Sequence, residues 1–139
     1  MHDDSVSDEL KRMNLKIYNL YRKMSGKPFR ESFDYQRRFE EADRIKKRYP
    51  ARVPIIVEVE TKELSLPKRK YLVPRNLSVG EFLHVLREKI KLGPEQALFL
   101  FFGDNILAPS ADLLGTIYET HKDTDQFLYA QLCLENTFG

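Results

Sequence analysis

The sequence predicts an α+β domain, and three observations predict it. The first third carries apolar residues at three- and four-residue steps, the spacing of one helix face. From Val53 onward, short β-branched and aromatic runs bounded by proline and glycine replace that spacing. Two further helical patterns are interleaved with those runs, so helices and strands belong to one unit. The 139 residues (16.4 kDa) are about the size of one domain.

In chain order, Leu10, Met13, Ile17, Leu20, Tyr21 and Met24 share a face, with Lys11, Arg12, Lys16, Arg22 and Lys23 around the rest. Ser5 or Ser7 can cap this helix, Asp8 and Glu9 suit its positive end, and Gly26 can close it before Pro28. A second helix is expected from about Gln36 to Arg48, with Phe39, Ala42, Ile45 and Tyr49 as its apolar stripe and Pro50 as its stop. Val53 to Glu60 reads as a strand buried in its first half. Lys68 to Val73, ended by Pro74, reads as its hairpin partner. Ser78-Val79-Gly80-Glu81 is a capping box, and Phe82, Val85, Leu86 and Ile90 form the stripe of the helix behind it, which Gly93-Pro94 ends. Leu98 to Phe102 is a short strand, Gly103-Asp104-Asn105 a turn, Asp112 to Glu119 a helix behind a Ser110 cap, and Phe127 to Cys133 the last strand.

Composition narrows the function classes. Lys and Arg total 23 against 21 Asp and Glu, too balanced for a dedicated nucleic-acid binder. The charge is uneven, however: residues 10 to 48 hold thirteen bases and five acids, whereas residues 49 to 139 hold ten and twelve. No apolar run approaches the ~20 residues that cross a bilayer, and the acidic start lacks a signal peptide's pattern, so a soluble, cytoplasmic protein is expected. Cys133 is the only cysteine, which excludes an internal disulfide and fits a reducing compartment.

The order strand, strand, helix, strand, helix, strand is what a β-grasp needs: a hairpin, a helix crossing the sheet, and a final strand inserted beside the first. Pattern alone leaves ubiquitin-like and other small α+β sheets open. The residues narrow it further. Lys47-Arg48-Tyr49-Pro50-Ala51-Arg52-Val53-Pro54, Lys70-Tyr71-Leu72-Val73-Pro74, Val79-Gly80-Glu81-Phe82, Ala97-Leu98-Phe99, Phe127-Leu128-Tyr129 and a terminal Phe138-Gly139 follow one another at set spacing. Together they resemble the GABARAP-type autophagy-related ubiquitin-like modifiers, in register from about Phe29 to Gly139. The organisation expected is an extension over 1–26 with an amphipathic helix at about 8–24, a ubiquitin-like domain over 27–134 opening with a helical subdomain (27–50), and a flexible tail over 135–139.

The resemblance implies a conjugation substrate and not an enzyme. A processing cysteine protease would expose Gly139, and activating and conjugating enzymes would carry it as adenylate and thioester to phosphatidylethanolamine on the autophagosome membrane. A glycine on a mobile tail suits narrow thiol-enzyme sites because no Cβ crowds the nucleophile. Arg52 and Phe138 match positions of processing-enzyme contact; Arg52 could equally be a surface ion pair. No cofactor is implied.

The resemblance also implies binding of aromatic-x-x-aliphatic motifs carried by cargo receptors and adaptors. The second strand, Lys68, Arg69, Lys70, Tyr71 and Leu72, is short and Lys-rich and suits a receiving edge. The aromatic pocket would be lined by Glu41, Ile45, Pro54, Ile56, Lys70, Leu72 and Phe127. The aliphatic pocket would be lined by Tyr71, Val73, Pro74, Leu77, Phe82, Val85 and the stem of Lys89. Ile56, Val73 and Phe82 read equally as plain core, while Ile45 and Leu72 are the better exposed walls. The chain departs from the family at Asp34, where proline is usual, at Gly103-Asp104 and over Ala130 to Leu134.

Other constellations are bland. His84 and His121 with Cys133 do not make a thiol catalyst, since Cys133 lies in an apolar strand without a basic neighbour in sequence, and their separations fit no metal site. Arg44 to Arg48 reads as a solvated helix face able to touch acidic lipids or acidic motif flanks. A second function class stays open: an unconjugated ubiquitin-like domain that binds peptides and is never lipidated.

Overall fold

A computed structural model describes residues 28–59, 66–90, 92 and 96–136. The elements are α1 (Phe29–Ser32), α2 (Tyr35–Arg48), β1 (Arg52–Val59), β2 (Lys70–Pro74), α3 (Val79–Ile90), β3 (Gln96–Phe102), β4 (Ile106–Leu107), α4 (Leu114–His121) and β5 (Leu128–Asn136). The sheet order is β2-β1-β5-β3-β4. The expected hairpin is present, with Val53 opposite Val73 and Ile55 opposite Tyr71. The last strand is inserted parallel to β1, Ile55 beside Leu128 and Val57 beside Ala130, and antiparallel to β3. This is the ubiquitin-like β-grasp. The expected helix over 8–24, Gly93-Pro94 and the terminal Phe138-Gly139 lie outside the described residues.

Alternation along the strands gives the sheet two faces. Val53, Ile55 and Val57 of β1 join Leu98, Leu100 and Phe102 of β3, Leu128, Ala130 and Leu132 of β5, and the buried sides of α3 and α4 in the main core. Ile56 and Phe127 point the other way, into a small cluster with Phe29 and Ala42. Phe127 meets Phe29 edge-on at 5.2 Å between ring centroids.

Local chemistry explains the ends of these elements. Asp34 caps α2, its carboxylate accepting from the Arg37 amide at 2.8 Å, so the departure from the usual proline supplies a cap. The capping box of α3 is formed in both directions: Glu81 N to Ser78 Oγ at 3.1 Å and Ser78 N to Glu81 Oε1 at 2.9 Å. The turn after β3 places Gly103 at φ +52° and Asn105 at +62°, conformations that suit Gly and Asn.

Several expectations need correction. The four-residue α1 and two-residue β4 are too short to show a period. The last helix starts at Leu114, not Asp112, and Ser110 does not cap it. Its first amides are taken by backbone instead, Leu114 N by Leu77 O (2.9 Å) and Gly115 N by Arg75 O (2.8 Å). The stripe of α2 is rotated: Phe39 and Tyr49 are exposed, and Arg38 is buried beside Ala42. Val85 faces solvent, and the buried positions of α3 are Val79, Phe82 and Leu86. β5 runs on to Asn136, two residues into the segment read as tail. Cys133 is half-buried on it.

Candidate peptide-binding edge

β2 is an edge strand. Val57 N donates to Arg69 O (2.8 Å), which sets the odd-numbered backbone groups toward β1 and turns the N–H and C=O of Lys70 and Leu72 outward. Those outward groups are what an added strand would pair with. The strand proper begins at Lys70, so Lys68 and Arg69 precede it. Arg52, read as an enzyme contact or a surface ion pair, donates from Nη1 to Leu72 O at 3.1 Å. Its guanidinium thus occupies one outward carbonyl of the open edge.

The seven residues of the expected aromatic pocket divide into three layers. Ile56 and Phe127 are fully buried and Pro54 is buried, so they form a floor. Ile45 and Leu72 are half-buried walls. Glu41 and Lys70 form an ion pair that ties α2 to β2. The open cleft here, of about 370 Å³, is lined by Phe33, Arg37, Glu40, Glu41, Arg44 and Lys70. Only Glu41 and Lys70 are common to the two sets, so their ion pair borders both. Phe33, Arg37 and Glu40 were missed by sequence reasoning, and Arg44 was read only as part of a solvated face. Yet Arg37, Glu41 and Arg44 stand at helical spacing and therefore share a side of α2.

At the other end of β2, three expected lining residues are core. Tyr71, Val73 and Phe82 are 5%, 7% and 1% exposed and belong to the main cluster, with the Tyr71 and Phe82 rings edge-on at 5.7 Å. Burial pushes the Tyr71 hydroxyl above its usual pKa, and that hydroxyl donates to Lys68 O at 2.9 Å. Pro74 and Leu77 are half-buried, and Val85 and Lys89 are exposed, so these four offer the accessible apolar surface between β2 and α3.

The α2 wall is positioned from behind by polar contacts. Arg38 Nε stands 3.2 Å from Asp125 Oδ2 as an ion pair without hydrogen-bond alignment. Asp125, fully buried, also accepts from Phe127 N (2.9 Å) and from the Tyr129 hydroxyl (2.5 Å). Desolvation raises the Asp125 pKa, with the Tyr129 and Phe127 hydrogen bonds opposing it, and burial raises that of Tyr129. Lys46 Nζ to Gln126 Oε1 (3.1 Å) and Tyr35 Oη to Thr124 O (3.0 Å) complete the tether.

The residues set aside earlier stay dispersed. His84 pairs with Glu88 on exposed α3, His121 ends α4, and Cys133 is on β5. Among the described residues no group of three His, Cys, Asp or Glu side chains could hold a metal, and no helix is long and apolar enough to cross a membrane.

A family model described as "Autophagy protein Atg8 ubiquitin like" matches residues 37–139. Autophagy-related protein 8 of Schizosaccharomyces pombe is 48% identical over 113 residues, covering 80% of this chain and 93% of that one. The protein of the same name from Coccidioides immitis is 47% identical, covering 80% and 96%. The crystal structure of Trypanosoma brucei ATG8 superposes with a TM-score of 0.72 at 36% identity, covering 82% of this chain and 99% of that one. With the β-grasp sheet and the Tyr-Pro-x-Arg-Val-Pro and Lys-Tyr-Leu-Val-Pro stretches in place, the chain belongs to the Atg8 family of autophagy ubiquitin-like proteins.

Proposed function

We propose that this protein is a lipid-conjugated modifier and a receptor for short motifs. Gly139 is the conjugation residue: its carboxylate is adenylated, passed as a thioester between cysteine enzymes, and attacked by the amine of phosphatidylethanolamine, which displaces the thiol and forms an amide. A processing cysteine protease acts at the same glycine, with Phe138 and Arg52 as its contacts. Family membership, with the family model matching through Gly139, supports this reading. The conjugate then resides on the autophagosome membrane and the unconjugated form in the cytoplasm. Incubation with the activating and conjugating enzymes, ATP and phosphatidylethanolamine liposomes is expected to shift wild type and not Gly139→Ala on a urea gel. Equal behaviour of the two refutes the assignment.

Motif peptides pair with the outward groups of Lys70 and Leu72, sharing the Leu72 carbonyl with Arg52 or displacing it, the aromatic side chain entering between Ile45 and Leu72 and the aliphatic one settling on Pro74, Leu77 and Val85. The open edge of β2, with half-buried Ile45 and Leu72 at one end and the accessible side chains of Pro74, Leu77 and Val85 at the other, is the observation that carries this reading. Two anchors at ~1.5–3 kcal/mol each and a few strand hydrogen bonds, less ordering costs, give ~−7 to −9 kcal/mol, or micromolar binding. Entry of the ring requires the Glu41–Lys70 pair to part, which frees Lys70 for an acidic residue before the aromatic. Calorimetry should show about tenfold weaker binding for Ile45→Ala, equivalent to ~1.4 kcal/mol. Unchanged affinity would move the peptide elsewhere. Peptide binding by a chain that no conjugation enzyme accepts would leave the unconjugated reading.

A further inference from the structure

We propose that the part of the sheet face on β3 and β5 that no described helix covers, where Phe99, Phe101 and Cys133 are half-buried, is the docking site for this chain's own residues 8–24. The helices α1 and α2 cover only one side of that face. Their cluster ends at Tyr129, where the Arg30 guanidinium lies 3.9 Å over the ring. Beyond it, Phe99 and Phe101 alternate with the core residues Leu98, Leu100 and Phe102, so they point outward, and they belong to neither core cluster. Leu107, opposite Phe101, is 57% exposed.

The register places the occupant's point of entry on this surface. Glu58 lies beside Gln131, Gln131 opposite Phe101, and Phe101 opposite Leu107, a single row across four strands. The chain enters the domain at the head of that row, since Phe29 N donates to Glu58 Oε2 at 2.7 Å. Residues preceding Pro28 therefore begin where the covered half of the face stops. The row spans three strand spacings, roughly 14 Å. A helix of the length of residues 8–24 is about 25 Å long, so it reaches from Glu58 past Leu107.

Chemistry agrees with that placement. The stripe Leu10, Met13, Ile17, Leu20 and Met24 needs an apolar partner, because a lone helix of this length is marginal in water. Residues 10 to 27 contain Lys11, Arg12, Lys16, Arg22, Lys23 and Lys27 and no acid, whereas Glu58, Asp104 and Glu135 lie along or beside this face, and its bases Arg30 and Lys122 are already paired with Asp123 and Glu119. The segment is thus matched to this face in length, polarity and sign.

Cys133, opposite Phe99 on the same face, is a built-in reporter. In the full chain, Ile17→Asp combined with Leu20→Asp should speed alkylation of Cys133 by N-ethylmaleimide about tenfold, as removal of a local cover does, with no change in the urea midpoint of the domain. Leu107→Lys, at an exposed position that the fold does not need, should do the same. Methyl-labelled Met13 and Met24 should give contacts to Phe99, Phe101 or Leu107 by NMR. Alkylation indifferent to both variants overturns the proposal. Protection that grows with protein concentration would assign the face to a second copy, and protection that appears only with phosphatidylserine vesicles would assign the helix to a membrane; each also overturns it.

Discussion

The two faces of the sheet are held by different physics. Among the described residues, seventeen buried side chains on the α3–α4 face form one hydrophobic cluster. On the α1–α2 face the buried cluster has four, and the helices are fixed instead by Arg38–Asp125, Lys46–Gln126, Tyr35–Thr124 and Arg30–Asp123. Non-directional burial makes a scaffold that tolerates no gap, while a thin polar attachment leaves clefts at its margin. The proposed aromatic pocket and the proposed docking face both lie at margins of the α1–α2 layer.

If this contrast is correct, the largest loss comes from opening the thick side. Leu86→Ala is expected to cost about 3–5 kcal/mol, with a single cooperative unfolding transition at lower denaturant. Gly115→Ala should also be costly there, because a Cβ would lie 2.9 Å from Arg75 Cβ and 3.0 Å from its carbonyl oxygen. A loss confined to the peptide site with unchanged global stability would break the comparison.

Breaking the polar attachment should cost less and act locally. Asp125→Ala strands the Phe127 amide and the Tyr129 hydroxyl without an acceptor and leaves buried Arg38 without its counter-charge, about 2–3 kcal/mol. Asp125→Asn keeps an acceptor and should cost less than half of that. Hydrogen exchange should place the loss of protection in α2, with β3 and β5 retained, and motif affinity should fall because Ile45 loses its position. Uniform loss of protection would show that the two faces form one unit.

These differences also explain what the sequence made legible. The scaffold face is written in periodicity: Val53 to Val57, Leu98 to Phe102 and the capping box of Ser78 and Glu81 each announce an element, and the order of elements leaves the β-grasp. The α1–α2 face is not periodic in the same sense. Phe39 and Tyr49 complete an apolar stripe on paper, but Arg38 is buried because Asp125, far later in the chain, is buried opposite it, and no local pattern shows such a partner. The same holds for α4, whose first amides are satisfied by Leu77 and Arg75 and not by the Ser110 hydroxyl. For the site, family resemblance supplied residues from both classes, and the sequence left Ile56, Val73 and Phe82 open between core and lining while favouring Ile45 and Leu72 as walls. Burial separates Val73 and Phe82 from Val85 and Pro74.

The smallest effect concerns acid. Glu81 has a lowered pKa through its hydrogen bonds with Ser78, and Glu119 through those with Arg75 and Lys122. Groups of this kind stabilise the fold above their unfolded value of about 4.5 and lose that contribution as pH falls through the folded value. Asp125 has the opposite sign. Its folded pKa is raised above 3.8, so between the two values the native state binds the extra proton and gains stability as pH falls. Asp43 of α2, whose pKa is lowered by hydrogen bonds from Lys47 and Gln126, acts in the same sense as Glu81 and Glu119, and the acid loss these three drive is partly offset by Asp125. Urea midpoints from pH 6 down to pH 3 should fall less steeply in Glu81→Gln, whose amide still accepts from Ser78 N without titrating, and more steeply in Asp125→Asn, which removes the offset. Parallel slopes in the two variants would mean that Glu81 and Asp125 do not oppose one another in this way.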